Sequence, residues 1–190
     1  MSLPSPDRQR LLELLKALSF ARRDVVLASG QSSNVYIDCK QTALHPEGAW
    51  HLGGLMLEAV QGIEARTGLT AGAVGGMTLG ADPLATAVSL AGFRAGRHLP
   101  AFIVRKTQKG HGTDQWLEGQ KNMPADGGVV LLEDVVTTGG STLSALERCR
   151  VSGLKPFGVV AIVDRGAGGI ERLAEEGLDV QALYRLSDFE

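Results

Sequence analysis

Val129-Val130-Leu131-Leu132 runs without a break into Glu133-Asp134-Val135-Val136-Thr137-Thr138-Gly139-Gly140-Ser141-Thr142. Four consecutive aliphatic residues are the pattern of a strand buried on both faces, which parallel sheets supply. Two carboxylates stand at its carboxyl end, and a hydroxyl- and glycine-rich turn leads into a periodic segment over Thr142 to Val151. The order is therefore strand, polar loop, helix start. At such a junction backbone N–H groups and the positive end of a helix dipole can hold a phosphate, while Glu133 and Asp134 face ribose hydroxyls or a metal. The plain alternative is a strand-to-helix turn with Ser141 as N-cap and both acids solvated. Adjacent carboxylates followed by two threonines and two glycines are more than a cap requires.

The rest of the chain repeats the strand-then-helix order. Ser5-Pro6-Asp7 is expected to cap a first helix whose stripe is Leu11, Leu12, Leu14, Leu15 and Leu18. A short strand starting at Val25-Val26-Leu27 and an alternating Val35-Tyr36-Ile37-Asp38, joined through Ser29-Gly30 and Ser32-Ser33-Asn34, predict a hairpin outside the main sheet. A hairpin there is either structural or a lid. Pro46 to Thr67 is helical in pattern, softened at Gly53-Gly54, which suit either close helix contact or an exposed kink. Ala71-Gly72-Ala73-Val74 reads as a strand, and Gly75-Gly76-Met77-Thr78-Leu79-Gly80 as a glycine-rich turn before a helix from Pro83 to about Ala91. That turn matches neither a P-loop nor a dinucleotide fingerprint, so a pyrophosphate-contacting loop and a tight structural turn both stay open.

Pro100 to Val104 predicts another strand, and Arg105-Lys106-Thr107-Gln108-Lys109-Gly110-His111 then crowds cations between glycines in an exposed, locally positive segment. Such a loop can close over a polyphosphate or simply remain solvated. The acidic pair at Glu133 and Asp134 favours closure. Phe157 to Val163 is a further buried strand, ending at Asp164-Arg165, where a guanidinium can fork onto a carboxylate or pair with a neighbouring acid. A short helix over Ile170 to Glu176 and a strand over Val180 to Tyr184 complete the pattern.

Five strands alternating with helices predict an α/β fold: a doubly wound, mostly parallel five-stranded sheet with its ligand site at the strands' carboxyl ends. With 190 residues the chain suits one domain over 1–190, of which 1–45 form a small N-terminal helix/hairpin hood. The formal net charge of −2 does not favour nucleic acid as a partner. The chain lacks an apolar run long enough to span a membrane, and Met1 to Asp7 lacks the order of a signal peptide, so a cytoplasmic location is expected. Cys39 and Cys149 fit reduced thiols, and the four histidines show no zinc-site spacing.

The aliphatic run with Glu133-Asp134-Val135-Val136-Thr137-Thr138-Gly139-Gly140-Ser141 resembles the phosphoribosyl pyrophosphate (PRPP) signature of type I phosphoribosyltransferases. Within that group the chain is most similar to the orotate phosphoribosyltransferases, through Ser29-Gly30-x-x-Ser33-x-x-Tyr36-x-Asp38, Arg105-Lys106-x-x-Lys109-x-His111, and Thr137 with Arg165. The resemblance implies transfer of ribose 5-phosphate from PRPP to orotate, in pyrimidine biosynthesis. It implies that Val135 to Ser141 cradle the ribose phosphate: Val135, Val136, Thr137, Thr138, Gly139, Gly140 and Ser141. Glu133 and Asp134 would hold the ribose hydroxyls and, through water and PRPP, Mg2+. Arg105, Lys106, Lys109 and His111 would bind pyrophosphate in the neighbouring subunit of a homodimer, with Lys109 and Asp134 catalytic. Ser29, Tyr36, Thr137 and Arg165 would bind orotate. The chain departs from the resemblance at Ala28, where a lysine is common, and at Leu79-Gly80, where Tyr-Lys is common. A purine phosphoribosyltransferase and a PRPP-sensing nucleic-acid-binding regulator are the competing readings.

Overall fold

In the computed structural model, which describes residues 5–26, 32–108, 116–124 and 127–189, Asp7 rather than Ser5 caps the first helix, α1 (Arg8–Leu18). Asp7 is extended and its carboxylate accepts from the Arg10 N–H at 2.7 Å. A carboxylate is both a strong N-cap and a favourable charge at the positive helix end, which outweighs the Ser-Pro signal. Strands β1 (Phe20–Val26) and β2 (Ser32–Ile37) pair antiparallel as a two-stranded sheet of their own, as expected of the hairpin. β1 begins earlier than its apolar run because Phe20 and Ala21 find register with Ile37 and Tyr36. Ser29 and Gly30 of the predicted turn lie outside the described residues.

A single turn, α2 (Lys40–Ala43), leads to the long α3 (Pro46–Thr67), which starts with proline in its first turn and stops at Gly68 in the left-handed region. Gly53 marks contact rather than a kink: a Cβ there would lie 2.6 Å from the Ala87 carbonyl oxygen of the neighbouring helix. β3 (Ala71–Met77) takes in Gly75 and Gly76, so these glycines belong to the strand and not to the turn expected there. A Cβ at Gly76 would stand 2.1 Å from the Leu132 carbonyl oxygen, and the strand needs glycine for close backbone approach. After α4 (Asp82–Arg94) and β4 (Ala101–Val104) comes a two-residue strand, β5 (Leu117–Glu118). Then follow β6 (Gly128–Val136), α5 (Gly140–Val151), β7 (Lys155–Asp164), α6 (Gly169–Glu175) and β8 (Asp179–Arg185).

The main sheet runs β5-β4-β3-β6-β7-β8 and is parallel except at β4–β5. It has six strands where five were expected, because β5 is too short to carry a period in the sequence. Alternation along β6 sends Val130 and Leu132 into a core with α1, α3 and α4, and Val129 and Leu131 into a second core with α5 and α6. Both faces are therefore covered, as a doubly wound sheet requires. From β3 the chain moves outward to β4 and then returns to β6 on β3's other side. This reversal opens a crevice at the carboxyl ends of β3 and β6, the usual ligand position in such sheets. The border at β8 is covered in part by α1: Arg8 donates to the Leu183 carbonyl and stacks its guanidinium on Tyr184, whose hydroxyl donates to the Arg8 carbonyl at 2.6 Å.

Gly53→Ala tests the packing of α3 on α4. Helix propensity alone would add about 1 kcal/mol of stability; the clash with Ala87 costs ~1–3 kcal/mol as overpacking. We expect a net loss in urea unfolding, and a gain would mean that the two helices separate freely.

Candidate active site

β6 ends by carrying one carboxyl group inward and the next outward. Glu133 is 6% exposed; its Oε2 accepts from the Thr142 hydroxyl at 2.8 Å and its Oε1 from the Asp134 N–H at 3.3 Å. Burial, reinforced by the charge of Asp134, pushes the Glu133 carboxyl up to about 8. The Thr142 hydroxyl works in the opposite direction by stabilising the anion. Asp134 is more accessible, with Oδ1 accepting from the Val135 N–H at 2.9 Å.

Beyond the strand the chain bends through Thr137 and Thr138 to Gly139, whose φ of 77° suits only glycine without strain. Gly139 is the N-cap of α5, and no side chain caps this helix. The Ser141 hydroxyl is thus not the cap of the plain alternative. The first-turn N–H groups of a helix lack internal partners and carry the positive end of its dipole. Here they open onto a cleft of about 380 Å³ lined by Glu133, Val135 to Thr142, Ile37 and Arg165. An anion held there needs no additional cation to be favoured.

Arg165 closes the opposite side. It follows β7, and its Nη2 donates to the Val35 carbonyl of the hairpin at 3.2 Å. Burial lowers its pKa, yet a guanidinium stays charged. Of the expected acceptor-side residues, Thr137 and Arg165 line this cleft, and β2 faces it with Ile37. Tyr36 is half-buried in the same strand, and Ser29 lies outside the described residues.

The expected basic residues Arg105 and Lys106 line a second cleft, of about 370 Å³, with Thr78, Asp82 and Glu118. Arg105 is held by Glu118 at 2.9 Å and by the Thr107 carbonyl at 3.3 Å. Lys109 and His111 lie outside the described residues. Between the clefts, the β3–α4 turn passes Asp134 so closely that a Cβ on Gly80 would be 2.8 Å from its carboxylate. Its Thr78–Leu79 peptide is cis.

Reasoning from the sequence missed Thr142, Ile37 and Lys40. Thr142 read as the first residue of a helix, and its bond back to Glu133 exists only once α5 packs beside β6. Lys40, whose Nζ lies 3.9 Å from Asp134 Oδ2, opens α2 just past the hairpin, and no signal in the sequence marked it. Among the described residues no three potential ligand side chains gather as a metal site. The adjacent Glu133 and Asp134 fit a cation held mainly by the oxygens of a bound phosphate substrate, as magnesium often is. No helix among the described residues is long and apolar enough to cross a membrane.

A mostly parallel sheet with an acidic pair and an uncapped helix start at its switch point is the arrangement that the resemblance to type I phosphoribosyltransferases implies. No protein-family model matches the chain. An orotate phosphoribosyltransferase of Sorangium cellulosum is 46% identical over 183 residues, 96% of this chain and 93% of that protein. The crystal structure of Mycobacterium tuberculosis orotate phosphoribosyltransferase in complex with Fe(III) dicitrate is 37% identical, with a TM-score of 0.80 over 97% of this chain and 99% of that one. The structure of the M. tuberculosis enzyme in complex with PRPP is 36% identical, with a TM-score of 0.76 over the same shares. The chain belongs to the orotate phosphoribosyltransferase family.

Because the folded protein holds a proton on Glu133 that the unfolded chain, at a pKa of about 4.3, has released, its stability falls as pH rises from there towards 8. Glu133→Gln keeps an acceptor for Thr142 and removes the titration. Relative to the parent, the ligand-free variant should gain about 3–4 kcal/mol more at pH 8 than at pH 5 in denaturant unfolding. A pH-independent difference would exclude the shifted carboxyl.

Proposed function

We propose that the protein transfers the 5-phosphoribosyl group of PRPP to orotate, giving orotidine 5'-monophosphate and pyrophosphate, in pyrimidine biosynthesis. The observation that carries this reading is that an uncapped helix start, the Glu133 carboxyl and the Arg165 guanidinium line one cleft at the end of β6, with Asp134 the next residue along. A ring nitrogen of orotate forms its bond to the anomeric carbon as the bond from that carbon to the diphosphate oxygen breaks; the electron pair leaves with the diphosphate, and the proton of the ring N–H passes to solvent. The sugar gains positive character and the leaving group negative charge, so carboxylates beside the one and cations beside the other lower the barrier.

In this reading the N–H groups from Val135 to Ser141 hold the 5-phosphate, and Glu133 and Asp134 accept from the ribose hydroxyls. Ionised Glu133 is the better acceptor, so donor binding draws its proton off. Bound Mg2+ would neutralise part of the diphosphate charge, held through water by the same two carboxylates. Thr137 and Arg165 receive orotate, the guanidinium taking the acceptor's carboxylate bidentately, which a purine could not exploit. Ser29 and Tyr36 belong to the same acceptor side through the family resemblance. Arg105, Lys106, Lys109 and His111 serve the diphosphate from the partner subunit of a homodimer. Exposed apolar residues at and before α4, namely Leu79, Leu90 and Phe93, support association of two copies. The free thiols of Cys39 and Cys149 support a cytoplasmic location.

Loss of orotate absorbance on mixing the protein with PRPP, Mg2+ and orotate tests the reading, with adenine and hypoxanthine run in parallel. Turnover of a purine and not of orotate would overturn it. Lys109→Ala should lower kcat by ~10²-fold, the scale of removing one transition-state donor; unchanged turnover removes that role. Mixing the impaired Lys109→Ala and Asp134→Asn variants should raise activity above that of either alone, since one shared site then has both wild-type residues. No recovery in exchanging dimers would place the basic loop in its own subunit's site.

A further inference from the structure

Lys40 opens α2, where the hairpin returns to the core, and its ammonium lies 2.6 Å from Asp38 Oδ1 and 3.9 Å from Asp134 Oδ2. A lysine paired with the acid two residues before it would ordinarily be a partly solvated surface bridge of little consequence. The surroundings here are different. The β3–α4 turn meets Asp134 through Gly80, which brings backbone and no side chain to that carboxylate. Lys40 lines a cleft of about 410 Å³ with Leu79, Asp82 and Pro83, the residues of that turn and of the start of α4. It therefore reaches both Asp134 and the β3–α4 turn, and it is not among the residues that line the cleft at the start of α5. Acids crowd this spot: Asp38, Asp134 and Asp82 all border it. A polyanion entering there meets repulsion from each, and Lys40 is a cation that lines the cleft beside them. Asp38 holds the ammonium in place with one hydrogen bond, and an ammonium has three N–H donors to offer.

Building on the reading of the cleft as a PRPP site, we propose that Lys40 is a further donor-binding residue. Its ammonium, anchored by Asp38, contacts the diphosphate of PRPP on the β3–α4 side of Asp134. The lysine comes from the hood rather than from the turn, and so the hood contributes to the donor as well as to the acceptor.

Lys40→Met keeps the length of the side chain and removes the charge, while Lys40→Arg keeps the charge. In steady-state assays the methionine variant should raise KM for PRPP by about 10- to 100-fold, the worth of one hydrogen bond to a charged group. It should weaken pyrophosphate as a product inhibitor by a similar factor and leave KM for orotate within about twofold. Lys40→Arg should recover most of the loss. If Lys40 acts only as a brace for α2, PRPP and orotate will weaken together and the melting temperature will fall, and that pattern overturns the proposal. So does an unchanged KM for PRPP. Should Lys40→Met not fold, Lys40→Gln replaces it in the same assays. The parent protein separates the two levels: no turnover of PRPP with orotate defeats the underlying reading and the Lys40 contact with it. An active parent with an unaffected variant defeats the contact alone.

Discussion

Two neighbouring carboxyl groups at the end of a strand buried on both faces are the constraint around which the site is built. Side by side they repel, and only one of them can be hidden. Alternation along β6 turns Glu133 inward, where desolvation and Asp134 raise its pKa, and leaves Asp134 at the mouth of the crevice. The Thr142 hydroxyl, the Asp134 N–H and the Val135 N–H partly offset the cost. These bonds fix the strand end relative to the start of α5, and with it the loop whose N–H groups face the cleft. The acidic pair and the uncapped start of α5 are thus one arrangement.

Much of this was legible in the sequence, since the controlling signals are local. Unbroken aliphatic runs at Val129 to Leu132 and Phe157 to Val163 specify strands covered on both sides, and such strands alternating with helices leave little choice but a doubly wound sheet. The helical pattern from Pro46 to Thr67 has the same two ends in the structure, as α3. Short or competing signals fared less well. The two residues of β5 carry no period, and Asp7 took the cap from Ser5 because a carboxylate accepts more strongly than a hydroxyl. Gly75 and Gly76 looked like a turn because glycine's uses in a turn and in a crowded strand are identical in sequence.

Within the site, the residues that belong to one continuous segment were readable and those that meet across segments were not. Val135 to Ser141 line the cleft as one contiguous segment, from the end of β6 to the first turn of α5. The bond from Thr142 to Glu133, the contact of Gly80 with Asp134 and the approach of Lys40 to the same carboxylate each join elements that only packing brings together. Arg165 falls between these cases. Its place after β7 was expected, whereas its bond to the Val35 carbonyl, which ties the hood to the core, was not.

The borders of the main sheet bear on how copies of the chain can meet. One border is the two-residue β5, and at the other the Leu183 carbonyl of β8 is occupied by Arg8. A stunted strand and a side-chain cover are the means by which sheets avoid templating further strands on their flanks. Another copy of the chain therefore meets little free backbone at either border, and backbone pairing of that kind is what fibrous aggregation depends on.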